Sequence, residues 1–169
     1  MRFIVWTSLV LIVVLLGSGA YGFYRVTRNL PQISSLKDYQ PSIITTLYAD
    51  DGSPIAEYYL ERRIVVPLEK IPQTLIDAFV AAEDSRFFEH EGIDFFGILR
   101  ASWKNIKARG IVQGGSTITQ QVTKSLLLTP ERSFTRKLRE AILAYRIEKY
   151  LSKKEILFLY LNQIYLGHG

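Results

Sequence analysis

Twenty-two consecutive residues, Phe3 to Tyr24, carry no charged side chain. Wound as a helix at about 1.5 Å per residue, such a run crosses a hydrocarbon core about 30 Å thick. Trp6 near one end and Tyr21 and Tyr24 near the other stand where amphipathic rings favour a membrane interface, and Arg2 and Arg25 bracket the run. A cleaved signal peptide is the plain alternative, because Ser18-Gly19-Ala20 is a small-residue cleavage site. The apolar stretch, however, exceeds the usual signal-peptide core of about 7 to 15 residues. The sequence therefore predicts a transmembrane anchor over residues 1–25. Flanking charge does not orient it, since Arg2 and the amino terminus lie on one side and Arg25 and Arg28 on the other.

Beyond the run lie 145 residues, enough for one domain of ordinary size. A domain of that size buries about two thirds of its unfolded surface and needs neither metal nor disulfide to hold together. The absence of cysteine excludes thiolate catalysis, Cys-ligated zinc and iron-sulfur clusters, and two histidines, His90 and His168, are too few for a His-rich metal centre. Charge is divided unevenly. Residues 1–100 carry 9 basic and 12 acidic side chains, net −3, whereas residues 101–169 carry 12 and 4, net +8. A solvated basic face accounts for that asymmetry, as do anionic headgroups, nucleic acid or a phosphorylated substrate; a membrane tether favours the headgroup and the phosphorylated substrate.

Residues 26–42 read as a linker, since Asn29 to Pro41 is polar, holds two prolines and shows no sustained period. From Ile43 the pattern is β: Ile43 to Tyr48 and Ile55 to Leu60 are rich in β-branched and aromatic residues around the turn Asp50-Asp51-Gly52-Ser53-Pro54. This predicts a hairpin, with Ile64-Val65-Val66 as a third short strand. After Ile71 the period is helical. Pro72 suits a first turn, Leu75, Ile76, Phe79 and Val80 form a stripe, and Asp94 can cap a helix whose Phe95, Leu99, Trp103 and Ile106 face one way up to Gly110. Gly114-Gly115-Ser116 opens another to about Leu128, Thr129-Pro130 starts the next through Tyr150, and Ser152-Lys-Lys-Glu155 is a capping box leading into a last one. The expected domain is mainly α with a small β-hairpin entrance.

Glu83 lies at helical spacing from Ile76, Phe79 and Val80, on the apolar stripe and near the helix C-terminus. Burial and the helix dipole would both make its carboxylate a better proton acceptor; a partly buried Glu paired to Arg86 is the structural alternative. Asp84 and His90 are weaker signals, a lone His being more often a hydrogen-bonded packing residue. In Gly114 to Lys124, glycines before a helix start offer backbone N–H groups to an anion. Thr117, Gln120, Gln121 and Lys124 are expected to share a face opposite Ile118 and Val122, a set of donors suited to a sugar phosphate. A Gly-capped amphipathic helix is the competing account, and the lysine is too far from the glycines for a Walker loop. Arg136 and Lys137 stand one turn before Glu140, either as an exposed ion pair worth about 0.2 to 0.5 kcal/mol or as donors held around a leaving pyrophosphate.

Four segments then resemble, in order and spacing, motifs of the peptidoglycan glycosyltransferases, glycosyltransferase family 51. They are Glu83-Asp-Ser-Arg-Phe-Phe-Glu-His-Glu-Gly92, Gly115-Ser-Thr-Ile-Thr-Gln-Gln-Val-Thr-Lys124, Arg136-Lys-Leu-Arg-Glu140, and Lys154-Glu-Ile-Leu-Phe-Leu-Tyr-Leu-Asn-Gln-Ile-Tyr-Leu-Gly167. The resemblance implies a lysozyme-like helical glycosyltransferase domain over 43–169, incomplete at its C-terminus, with an amphipathic surface dipping into the bilayer. Without the family's further helices, the apolar faces at 94–109 and 153–166 are expected to lie uncovered and the fragment alone to be inactive.

The implied reaction polymerises lipid II into β-1,4 glycan strands and releases undecaprenyl pyrophosphate by an inverting single displacement. The resemblance makes Glu83 and Glu140 catalytic. It assigns substrate contacts to Asp84, Phe87, His90, Gly115, Ser116, Thr117, Gln120, Gln121, Lys124, Arg132, Arg136, Lys137 and Asn162. No protein-bound metal or cofactor is required, though magnesium or manganese can accompany the pyrophosphate. Expected partners are lipid II, the growing strand, the membrane and other cell-wall synthesis proteins, with no nucleic acid. The expected location is the cytoplasmic membrane, single-pass, N-terminus inside and catalytic part outside. The alternatives are a membrane-anchored lysozyme-type hydrolase and a non-catalytic module binding anionic headgroups.

Overall fold

The computed structural model describes residues 2–36, 44–59, 63–131 and 133–164. The expected hairpin ends at Ile43 and Leu60, Arg132, and residues 165–169, which hold the end of the fourth motif, lie outside these. Helix α1 (Arg2–Thr27) is long and apolar enough over Val5–Thr27 to cross a membrane; residues 5–25 are exposed, and Val26 and Thr27 are half-buried. Strands β1 (Thr45–Tyr48) and β2 (Pro54–Tyr58) form the expected antiparallel hairpin, pairing Thr45 with Tyr58 and Leu47 with Ala56. The turn is held by Asp51, whose Oδ1 accepts from Ser53 N at 2.9 Å.

The third strand is not formed. Ile64 to Val66 is irregular, because the Asn162 side chain takes both backbone groups of Val66: Val66 N donates to Asn162 Oδ1 at 2.8 Å, and Asn162 Nδ2 donates to Val66 O at 3.0 Å. An amide thus replaces the strand that would have paired there.

Five helices make the body: α2 (Gln73–Glu83), α3 (Phe95–Ala108), α4 (Ile118–Leu127), α5 (Phe134–Tyr150) and α6 (Lys153–Gln163). Helix α5 begins four residues later than Thr129-Pro130 suggests, because the Ser133 hydroxyl accepts from Arg136 N at 3.1 Å and fixes the start there. The Ser152 capping box opens α6 as expected. Helix α4 packs against α5 and α6, and Ile118, Ile147 and Ile156 at their junction are fully buried. Leu36, in the stretch read as linker, joins this core at the end of a 3-10 turn over Ile33–Leu36.

The two faces expected to lie uncovered differ. On α3, Phe95, Leu99, Trp103 and Ile106 are each about 70% exposed. On α6, Ile156, Leu157, Leu159 and Tyr160 are buried, so that helix is central. It is covered by α4 and the segment around a 3-10 turn at Leu68–Lys70. Cutting Ile147 to Ala should open a cavity where α4, α5 and α6 meet, and urea denaturation of the detergent-solubilised protein should show a loss of about 2 to 5 kcal/mol.

Candidate active-site cleft

A shallow cleft opens where three segments converge: the last turn of α2 through Ser85, the first turns of α3, and the loop Gln113–Thr117. Glu83 ends α2 at the cleft and is exposed, contrary to the expected burial. As the last residue of the helix it stays in solvent, while Ile76 and Val80 of the same stripe are buried. Glu83 Oε2 accepts from Gln121 Nε2 of α4 at 2.8 Å. Arg86 does not pair with it; its guanidinium donates to Glu89 at 2.7 Å and to Asp94 at 3.1 Å.

The neighbouring carboxylate has the opposite fate. Asp84 is buried, its two oxygens 3.1 and 3.0 Å from His90 Nε2, and Oδ2 also accepts from Ile118 N in the first turn of α4 at 3.1 Å. A carboxylate at a helix N-terminus answers both an orphan N–H and the helix dipole. One side chain therefore ties the loop after α2 to α4. Gly92 supplies a second tie: its carbonyl accepts from Thr117 Oγ at 2.7 Å. Its φ of +87° and its approach to the Ala144 carbonyl, 2.6 Å from where a Cβ would stand, admit only glycine.

Several residues expected to meet substrate are instead occupied in the scaffold. Thr117 and Gln120 form the capping box of α4 and are buried, so the polar face of that helix narrows to Gln121 and Lys124. Phe87 is fully buried, with Lys153 Nζ 4.4 Å over its ring. His90 is buried on Asp84, and Asn162 is engaged with Val66. The Thr-x-x-Gln spacing that marks a capping box is readable in the sequence, and it outweighs the face that the same residues suggested.

The cation cluster stands on α5. Glu140 is 2% exposed, so it is no surface ion pair. Arg136 Nη1 donates to its Oε2 at 3.2 Å, Lys137 Nζ donates to Oε1, and Lys137 Nζ also reaches Ser116 Oγ in the cleft loop at 2.8 Å. Gly115 lies in that loop, against Ile98 and Ala101 of α3. Lys124 and Gln121 line a second hollow of about 250 Å³ with Ser125, Tyr160, Gln163 and Ile164. Among the buried polar atoms without a partner, Gln113 Oε1 belongs to a residue lining the cleft and Tyr160 Oη to one lining the second hollow, with Arg136 Nε and His90 Nδ1 elsewhere. Such atoms are uncommon in folded proteins and concentrate where a ligand or water is handled.

No group of three or more His, Cys, Asp or Glu able to hold a metal exists among the described residues. Both oxygens of Glu140 already accept from cations.

A family model described as Transglycosylase matches residues 51–169, the stretch that builds the cleft. The chain belongs to the transglycosylase family. It is 47% identical over 163 residues to penicillin-binding protein 1A of Rickettsia felis, covering 95% of this chain and 21% of that protein. Against penicillin-binding protein 1A of Escherichia coli it is 48% identical over 157 residues, 92% of this chain and 18% of the relative. Against that of Neisseria flavescens it is 51% identical over 139 residues, 82% and 17%. The chain spans about a fifth of the length of the curated relatives it matches. At the cleft the exposed acid is Glu83 and the exposed cation lining it is Arg100, while exposed Lys137 reaches the cleft loop through Ser116 and exposed Lys124 lines the second hollow.

Tyr160 gives this site a pH signature. Burial of the phenol, and then the negative charge of Glu83, push its pKa up from the usual 10.0 to about 12. A folded-state value above the unfolded one favours the protonated form in the fold, so stability is intact below pH 10.0 and is lost as pH climbs toward about 12. Tyr160→Phe should abolish that part of the alkaline loss. Because the hydroxyl has no partner, the same change should leave stability at pH 7 unchanged or raised by about 1 kcal/mol. Thermal unfolding between pH 8 and 12 checks both.

Proposed function

We propose that this chain carries the glycan-polymerising activity of a peptidoglycan glycosyltransferase, acting on lipid II. The 4-hydroxyl of an acceptor N-acetylglucosamine attacks C1 of the donor's N-acetylmuramic acid and expels undecaprenyl pyrophosphate. The α-linked donor becomes a β-1,4 link. A single displacement of this kind needs one base at the nucleophile and charge stabilisation at the leaving group.

The observation that carries the reading is the pairing of an exposed cleft carboxylate, held by one amide hydrogen bond, with a buried acid whose Lys137 reaches the Ser116 loop of the same cleft. Glu83 takes the proton from the acceptor hydroxyl, and Gln121 aims its carboxylate. Lys137 and Arg136, fixed by Glu140, stabilise charge growing on the departing pyrophosphate, with Lys124 as a further cation beyond Gln121. Glu140 orders these donors rather than touching the reacting atoms. Ser116 and Gly115 line the path between acid and cations. Asp84, His90, Thr117 and Gln120 position this machinery from beneath, and no step is assigned to a metal.

The anchor and the exposed apolar face of α3 suit a substrate carried on a lipid. We place the protein in the cytoplasmic membrane as a single-pass protein, N-terminus inside and the cleft outside, with cell-wall synthesis proteins as partners.

Purified lipid II given to the full-length protein should yield polymer; released sugar would indicate a hydrolase, and no product a binding module. Glu83→Gln keeps the shape and loses the basicity, so polymerisation should fall by about 10² to 10⁴ while lipid II binding and folding persist. Lys137→Met should lower kcat by about two orders of magnitude, since an electrostatic donor acts chiefly on the transition state, while Arg136 still pairs with Glu140. The melting temperature, measured alongside, should fall because buried Glu140 loses one of its two cations. Turnover near the unmutated level in either variant removes that residue from the mechanism.

A further inference from the structure

Three carboxylates line the cleft, and each is committed elsewhere. Glu83 accepts from Gln121, Asp84 from the Ile118 N–H while lying against His90, and Asp94 from Arg86. The last commitment is built into α3: the Asp94 carboxylate lies over Gly97, where a Cβ would stand 2.3 Å from Oδ2. One residue type there frees Asp94 to reach back to Arg86. Arg100, one turn after Gly97, lines the same cleft and is exposed. Among the described residues no hydrogen bond or ion pair ties it down, although three acids stand nearby. A guanidinium left unpaired among carboxylates is a binding group for an oxyanion, which it can take through two parallel N–H donors.

The surroundings of Arg100 narrow the ligand. At 100° per residue, Arg100, Lys104 and Lys107 fall on one strip of α3, directly beside the strip that exposes Leu99, Trp103 and Ile106. A basic strip running along an exposed apolar one fits an anionic group joined to a lipid chain. It also stands on a different element from the cations of α5, which are already gathered by Glu140.

We propose that Arg100 binds an oxyanion of the lipid-linked acceptor and so holds its sugar hydroxyl at Glu83, while the α5 cations serve the leaving group of the donor. This rests on the glycosyltransferase reading above. The oxyanion is a phosphate of the carrier linkage or a carboxylate of the peptide stem, which share the chemistry a guanidinium recognises.

The test uses the full-length protein extending a short lipid-linked glycan as donor with lipid II as acceptor, each varied in turn. Arg100→Ala should raise the acceptor KM about tenfold, as loss of a charge-assisted hydrogen bond does. The donor KM should stay unchanged and kcat at saturating acceptor should stay within about threefold. Arg100→Lys should recover most of the acceptor affinity, and an unchanged melting temperature separates both effects from misfolding. Acceptor with every stem carboxylate amidated distinguishes the sources. If the unmutated protein handles it like Arg100→Ala handles the free acid, the carboxylate is the ligand; if only the mutation weakens binding, the phosphate is. An unchanged acceptor KM, or a loss confined to donor KM or kcat, overturns the assignment while leaving the polymerase reading intact. No polymer from the unmutated protein would instead overturn the polymerase reading.

Discussion

The site depends on the buried Asp84 carboxylate. Left alone in the interior, a charged carboxylate would be strongly unfavourable, so its neighbours must satisfy it. His90 and the first N–H of α4 do so, and in doing so they lock the loop after α2 onto the helix that carries Gln121. Gln121 in turn holds Glu83, the residue immediately before Asp84. Two adjacent acids thus divide the work by environment: the buried one fixes geometry, and the exposed one remains available to a substrate. The helix ends between them, at Asp84, whose extended φ of −155° turns the chain and separates the two carboxylates.

A second buried acid repeats the arrangement at the opposite side of the loop. Glu140 is satisfied by Arg136 and Lys137, and only Lys137 continues outward to Ser116. Breaking such a cluster by deleting the acid would leave cations without their anchor, which is costlier than losing an exposed pair. On the glycosyltransferase reading proposed above, Glu140 acts through the cations it holds, so its removal should disturb pyrophosphate stabilisation without any direct contact to the reacting carbon.

Much of this was legible in the sequence where local chemistry is decisive. The uncharged run gave α1, the Ser152-to-Glu155 capping box gave the start of α6, and the turn around Gly52 gave the hairpin. What escaped was decided by groups distant in sequence. Ile64 to Val66 has strand composition, but Asn162, 96 residues away from Val66, claims its backbone. Glu83 has the spacing of a stripe residue, yet the helix stops there and the side chain stays in solvent. Arg100 attracted no notice, because an arginine on an amphipathic helix is ordinary; only the pairing of every nearby acid makes it unusual. Periodicity reports which face a residue shares and is silent on which partners will reach it.

The membrane enters this arrangement through α5. Within the turn that presents Arg136, Lys137 and Glu140 to the cleft, Arg139 Nε donates to Val26 O at the end of α1, at 3.1 Å. A carbonyl in the last turn of a helix lacks an intrahelical donor and is a natural seat for a cation. The anchor is therefore fastened to the element that bears the cation cluster, and the 3-10 turn at Ile33–Leu36 packs on the same helix. Helix α3, on another wall of the cleft, turns an apolar strip to the outside. Where α1 crosses a bilayer, this contact would hold α5, and with it the cleft, at a set height above the membrane. That constraint matters only if the reacting group also stands at a set height, which is the situation of a sugar joined through phosphates to a lipid chain. A soluble glycan would gain nothing from it, so the coupling of anchor to cation cluster favours a lipid-borne substrate on mechanical as well as chemical grounds.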